Sequence, residues 1–208
     1  NGADICKFQT WSEKYLKVGP WDSDGRREIY KKAQLSHDQH LELREYCEKN
    51  NVKFLTSIFN KVDLDFLFKI NPEMIKIPSH EIYNIDLIEK CLSKFNKVLI
   101  STGASKWNEI ELLGKMKNKD KIIFMHCVSA YPCNSENVNF PRMEKLKEYS
   151  KEVGYSGHFP GIEDAIIAFC NGASYVEKHF TVDRDLPGRD NKFAILPVDL
   201  EKIFKFRN

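Results

Sequence analysis

Two histidines late in the chain carry the clearest chemistry. His158 ends the run Gly154-Tyr-Ser-Gly-His158, and His179 ends Ala173-Ser-Tyr-Val-Glu-Lys-His179, with a helical stretch between them. Each run is short and rich in β-branched or aromatic residues, so two successive strands would deliver one imidazole each to the same end of a sheet. That geometry suits a metal ion or an oxyanion, and bare ligand chemistry favours zinc or iron for two imidazoles. Their separation matches no local metal motif, and a single histidine is more often a hydrogen-bonded structural residue. The pairing is what argues for a ligand role. His126, at the end of Ile122-Ile-Phe-Met-His126, is a third candidate; His37, His40 and His80 read as surface or loop residues.

Lys7 and Lys76 lie inside apolar strand-like runs. A buried ammonium without a partner is costly, so each must face an anion or snorkel outward. Two of them, each near a hydroxyl at a strand end, point to a phosphate or carboxylate site. Lysine acts there as a point charge, and Ser57, Ser79, Ser101 and Ser156 can donate hydrogen bonds. Gln9, Thr102, Ser129 and Tyr131 fall at the same kind of position. The loop Thr181-Val-Asp-Arg-Asp-Leu-Pro-Gly-Arg-Asp190 could hydrogen-bond a polyhydroxylated substrate through Asp183 or Asp190. Cys127 and Cys133 have no obvious base and read as thiols in or near the core.

These residues need elements to position them. Strands are expected over 3–9, 52–57, 74–79, 98–101, 122–126, 152–156 and 174–179, each followed by a helical stretch, the last near 198–206. Ser36-His-Asp-Gln39 is a capping-box pattern, Asn84 caps a later helix, and Gly172 stops another. Residues 10–35 read instead as a long polar loop holding Trp11, Trp21 and Gly25. Seven β-then-α units argue for a parallel sheet covered by helices, and the strands are continuous apolar runs, as doubly covered strands should be. The expected fold is a (β/α)8 TIM barrel, incomplete at the N-terminus, forming one domain over residues 1–208. In such a barrel the active site lies at the C-terminal ends of the strands. The rival, an open doubly wound sheet, finds no GxGxxG or Walker loop.

Composition excludes several classes. A net charge of +2 offers no field for nucleic acid. No apolar run approaches the ~18 residues of a membrane helix, and no secretory signal opens the chain. Six cysteines without a CxxC pair fit a reducing cytoplasm. The chain enters a strand almost at once and reads as a fragment.

Taken in order, Lys7-Phe-Gln-Thr10, Phe54-Leu-Thr-Ser-Ile-Phe59, Lys76-Ile-Pro-Ser79, Ile100-Ser-Thr-Gly103, His126-Cys127 with Tyr131-Pro132, Gly154-Tyr-Ser-Gly-His158, Glu177-Lys-His-Phe-Thr181 and Pro187-Gly-Arg-Asp190 closely resemble the sialic acid (N-acetylneuraminate) synthase family. The resemblance implies a transferase of sialic acid biosynthesis, condensing phosphoenolpyruvate with N-acetylmannosamine or a related N-acylated sugar aldehyde. It sets Lys7, Ser57, Lys76, Ser79, Ser101 and Ser156 around phosphoenolpyruvate, and Ser129, Tyr131 and Asp190 by the sugar. It makes His158 and His179 ligands of a divalent metal, Mn2+ or Mg2+ rather than zinc, and implies a homodimer. The 208 residues show no counterpart of the family's first strand with its acidic residue, nor of its antifreeze-like domain. Gly157 stands where the family has Asp, Ser57 where Thr is common and Arg189 where Pro is common. A truncated, non-catalytic barrel binding a sugar or an acidic ligand is the alternative expectation.

Overall fold

Runs such as Val98-Leu-Ile and Ile122-Ile-Phe-Met are apolar at every position, so both faces of the strands they form must be covered. The computed structural model describes residues 1–16 and 18–208, apart from the side chain of Trp21, and it covers both. Seven strands, β1 (Ile5–Thr10), β2 (Lys53–Ile58), β3 (Met74–Ile77), β4 (Lys97–Ser101), β5 (Ile122–Cys127), β6 (Val153–Gly157) and β7 (Tyr175–Lys178), pair in parallel in chain order. Helices α1 (Arg26–Ala33), α2 (His37–Lys49), α3 (Leu64–Ile70), α4 (Ile85–Lys94), α5 (Trp107–Leu113), α6 (Pro141–Leu146), α7 (Glu163–Cys170) and α8 (Pro197–Arg207) connect or follow them.

Alternation along each strand divides the core in two. On the outer face Phe54, Ile75, Ile77, Val98, Ile100, Phe124 and Val153 pack against Leu67, Ile88, Leu92 and Leu113 of the helices. On α4, Leu87, Ile88, Cys91 and Leu92 are all buried, and complete burial of such side chains stabilises by about 1.5–3 kcal/mol each. The inner face carries a smaller apolar floor of Leu55, Met74, Leu99, Ile123 and Met125, flanked by Ile5 and Tyr175. Above it, toward the C-terminal ends, the same face turns polar. The sheet curls tightly enough for Lys7 of β1 and Lys76 of β3 both to reach Glu177 of β7. The architecture is a curled seven-stranded parallel α/β sheet, with β1 and β7 as its edges among the described residues.

The capping box is formed as its spacing requires: Gln39 N–H donates to Ser36 Oγ at 3.2 Å, and Ser36 N–H to Gln39 Oε1 at 2.8 Å. The segment expected as one long loop holds helix α1, a short and largely charged helix that buries no residue, its Tyr30 meeting Trp11 edge-on at 5.4 Å. Ion pairs hold it in place, Arg27 reaching Glu13 and Asp22 at 2.5 Å each.

Two histidines are placed differently from expectation. His40 is not a surface residue: it is fully buried on the sheet-facing side of α2, between Thr10 Oγ1 (2.7 Å) and the Ser36 carbonyl (2.8 Å). His126, the third metal candidate, points to the outer face instead. Its Nε2 donates to the Val138 carbonyl at 2.6 Å, and its ring lies beside Tyr155 and Phe140. Period-two alternation sets the neighbouring Cys127 on the inner face and turns His126 away from it.

Burial lowers the pKa of both rings from the ordinary 6.5. The unfolded chain therefore binds protons that the folded one refuses, so the stability these rings contribute is complete above about 6.5 and declines as pH falls below it. Urea unfolding at pH 7.5 and 5.5, at constant ionic strength, is expected to show a lower midpoint at pH 5.5. Equal midpoints would contradict neutral burial.

Candidate active site

A lysine in an apolar strand needs an anion, and here two lysines share one. Glu177 accepts from Ser156 Oγ at 2.9 Å, lies 3.2 Å from Lys76 Nζ and 3.9 Å from Lys7 Nζ. Lys7 Nζ also donates to Ser57 Oγ at 3.5 Å. Register sets this meeting, since Ser57 pairs with Lys76 across β2 and β3, and Ser156 with Glu177 across β6 and β7. Burial alone would raise the Glu177 pKa, but the two ammonium groups and the Ser156 hydroxyl hold it far below the usual carboxylate range. Burial depresses Lys7, which Glu177 partly offsets. The side chain of Lys76 is only 3% exposed. Two cations against one carboxylate leave one buried positive charge uncompensated. Beside them the Ser101 hydroxyl is buried with no hydrogen-bond partner, as expected of a group reserved for a ligand.

The loops above add a second group. His158 and His179 follow β6 and β7, and their ring centroids are 5.4 Å apart. His158 Nδ1 lies 2.8 Å from the Val128 carbonyl, which can only accept, so Nδ1 carries the proton and Nε2 is bare. His179 Nδ1 lies 3.5 Å from Asp190 Oδ2, which orients that ring the same way. Burial lowers both pKa values, His179 to about 4, so both rings are neutral near pH 7, the form that binds metals. Metal-binding histidines characteristically donate their other nitrogen to a carbonyl or carboxylate, and these two have such partners. Among the described residues no cluster of three or more His, Cys, Asp or Glu donors forms. The chain thus offers two neutral imidazoles side by side, and other positions around an ion would fall to water or substrate oxygens.

Tyr131 lies over His158 at a tilt, ring centroids 4.0 Å apart, and meets His179 edge-on at 6.5 Å, while Phe193 backs both rings. The Arg189 guanidinium lies 6.0 Å from the Tyr131 ring centre. Ser79, Ser129 and Cys127 converge on Gly103: a Cβ there would lie 2.5 Å from Ser129 Oγ and 3.0 Å from both Ser79 Oγ and Cys127 Sγ. Burial pushes the Cys127 thiol up, leaving it neutral. Gln9 is exposed at the edge of the inner face. Thr102 is committed elsewhere, donating to the Met125 carbonyl, and Asp183 closes a local turn with Asp185 and Thr181. Glu177 was missed in the sequence because it sits inside a β-branched run. Its signal was the demand of two strand lysines for one anion, two residues before His179.

The sequence signature of the NeuB family matches residues 1–207. The chain belongs to the NeuB family. Among curated relatives, the N,N'-diacetyllegionaminic acid synthase of Legionella pneumophila is 32% identical, covering 98% of this chain and 62% of its own length. The human N-acetylneuraminate-9-phosphate synthase is 29% identical over 98% of this chain and 61% of its own. A crystal structure of N-acetylneuraminic acid (sialic acid) synthetase from Leptospira borgpetersenii, in complex with citrate, superposes with a TM-score of 0.90 at 32% identity, covering 99% of this chain and 72% of that one. This NeuB-family chain spans about three fifths of the length of the curated relatives it matches. No helix among the described residues is long and apolar enough to cross a membrane.

Proposed function

We propose that residues 1–208 form the (β/α)8-type catalytic domain of a nonulosonic acid synthase, which joins phosphoenolpyruvate to N-acetylmannosamine or a related N-acylated sugar aldehyde and releases inorganic phosphate. The observation that carries this is the uncompensated positive charge at Lys7, Lys76 and Glu177, beside the partnerless Ser101 hydroxyl and next to two neutral imidazoles. Relatives named as synthases of N,N'-diacetyllegionaminic acid, pseudaminic acid and N-acetylneuraminate 9-phosphate support the same reading, and they do not favour a non-catalytic barrel.

In this reading Lys7 and Lys76 neutralise the phosphate and carboxylate of phosphoenolpyruvate. Ser57, Ser79 and Ser101 donate to its oxygens, while Ser156, at the same wall, gives its proton to Glu177, which draws the two ammonium groups together. Preorganised donors of this kind pay their ordering cost during folding rather than during reaction. Tyr131, Ser129 and Asp190 border the sugar. His158 and His179 would hold Mn2+ or Mg2+, which when bound supplies a Lewis acid for the aldehyde oxygen. The electron pair of the phosphoenolpyruvate double bond forms the new carbon–carbon bond to the aldehyde. Water adds at the resulting cationic carbon, and cleavage of its bond to the phosphate oxygen leaves the ketone and inorganic phosphate. A homodimer of the full-length protein in the cytoplasm completes the proposal.

The full-length protein, supplied with phosphoenolpyruvate, Mn2+ and a panel of N-acylated hexosamines, is expected to release phosphate with at least one sugar. The release should be abolished by omitting either substrate and by chelation. Phosphate release independent of the sugar, or none across the panel, would overturn the reading.

A further inference from the structure

A second ionic cluster lies behind the histidines, on the outer face of the sheet. Lys178 of β7 and Asp164 of α7 form an ion pair at 2.8 Å, with side chains only 5% and 2% exposed. Both carboxylate oxygens accept from Lys178 Nζ, and Tyr155 OH donates to Asp164 Oδ2 at 3.0 Å. Burying such a pair is a poor route to stability, since apolar residues of the same volume generally do as well. Its placement offers another purpose. Lys178 immediately precedes His179, and its ammonium also donates to the carbonyl of Phe159, the residue after His158, at 2.7 Å. One side chain therefore ties together the two backbones where they leave the sheet carrying the two imidazoles. The same segment is held from the other side by Cys133 N–H donating to the His158 carbonyl at 3.0 Å.

Gly157 makes room for this arrangement. A Cβ at that position would run into Asp164 Oδ2 and lie 2.5 Å from Tyr155 Cε1. A side chain on 157 and the carboxylate of 164 compete for one pocket, so a carboxylate could reach Lys178 from either position but not from both.

We propose that Asp164 is a positioning residue: through Lys178 it sets His158 and His179 at the separation and orientation at which both can face one cation. The proposal rests on the reading of these histidines as metal ligands, and it can be separated from that reading by experiment. In the full-length protein, Mn2+ alone is the probe, its dissociation constant measured from the electron paramagnetic resonance signal of the free ion. The ring nitrogen resonances of His158 and His179 are recorded without metal. Asp164→Asn keeps the shape but weakens the hold on Lys178. It is expected to raise the Mn2+ dissociation constant about ten- to hundredfold, the range for second-layer partners of metal ligands, and to shift or broaden both sets of ring resonances. The double variant Gly157→Asp with Asp164→Val moves the carboxylate onto the strand and should restore both.

A folded Asp164→Asn protein with wild-type affinity and wild-type ring resonances overturns the proposal, because a merely structural role would change stability alone. Should that variant fail to fold, the double variant decides: recovered affinity supports positioning, and a folded protein without it refutes positioning. If the wild-type protein takes up no Mn2+, the metal reading falls, and the ring resonances of Asp164→Asn alone decide whether Asp164 positions the histidines.

Discussion

Replacing His179 by alanine is expected to lower metal-dependent phosphate release by roughly a thousandfold or more while leaving the protein folded. Two imidazoles lie side by side here, and no cluster of three or more His, Cys, Asp or Glu donors forms among the described residues. Losing one therefore halves the protein's hold on an ion. A Lewis acid contributes several kcal/mol to such a reaction, and each 1.4 kcal/mol or so is tenfold in rate, which sets the scale. His179 is partly exposed, and among the described residues its ring has Asp190 as its polar partner, itself partly exposed, so the truncation orphans little. His158→Ala should cost the same activity and more stability, because its buried ring leaves the Val128 carbonyl unpaired. Phosphate-release assays beside thermal unfolding separate the two effects. Wild-type turnover in either folded variant would remove the metal role.

The second large effect is on stability and concerns Glu177→Gln. Among the described residues this removes the one carboxylate paired with Lys7 and Lys76 and leaves two ammonium groups confronting each other on the inner face. Breaking a buried pair from one side costs about 3–5 kcal/mol, and the exposure of about a fifth at Lys7 and Glu177 places this cluster toward the lower end. The variant carries one more positive charge in the same space. Inorganic phosphate or phosphoenolpyruvate should therefore raise its unfolding temperature more than that of the wild type, since a ligand bound only by the folded state stabilises by mass action. Lys76→Met, which leaves Lys7 and Glu177 paired, should cost less stability and lose the anion response. If Glu177→Gln unfolds at the wild-type denaturant concentration, the cluster is not the electrostatic unit described here.

Much of this was legible in the residues. The seven strands lie within a few residues of expectation because parallel strands buried on both faces are runs that few other elements imitate. Lys7 and Lys76 announced an anion because a buried ammonium is expensive anywhere. What stayed hidden depended on the third dimension. Helix α1 is short, mostly charged and buries no residue, and it is tied down by charges across a loop. His40 and His126 look like any other histidine until the helix packing and the strand alternation decide which way they point. Glu177 and Asp164 are acids in unremarkable sequence surroundings, and which lysines they pair with became visible only when β1, β3, β7 and α7 were brought together.

The curl that lets β1 and β3 reach β7 has a temporal side as well. The contacts of the anion cluster join residues 50 apart for Lys7 and Ser57 and 101 apart for Lys76 and Glu177. Contacts between residues so distant in the chain form slowly, because loop-closure entropy is spent before they repay it. No short segment contains the whole cluster: a partly folded chain with β1 astray lacks Lys7, one with β7 astray lacks Glu177, and neither holds the three charges together. Recognition of the anion is therefore reserved for molecules that have finished folding. A ligand bound there would act as a latch on the last closure of the sheet, withdrawing the two edge strands from the population that opens, exchanges its amides or meets another chain.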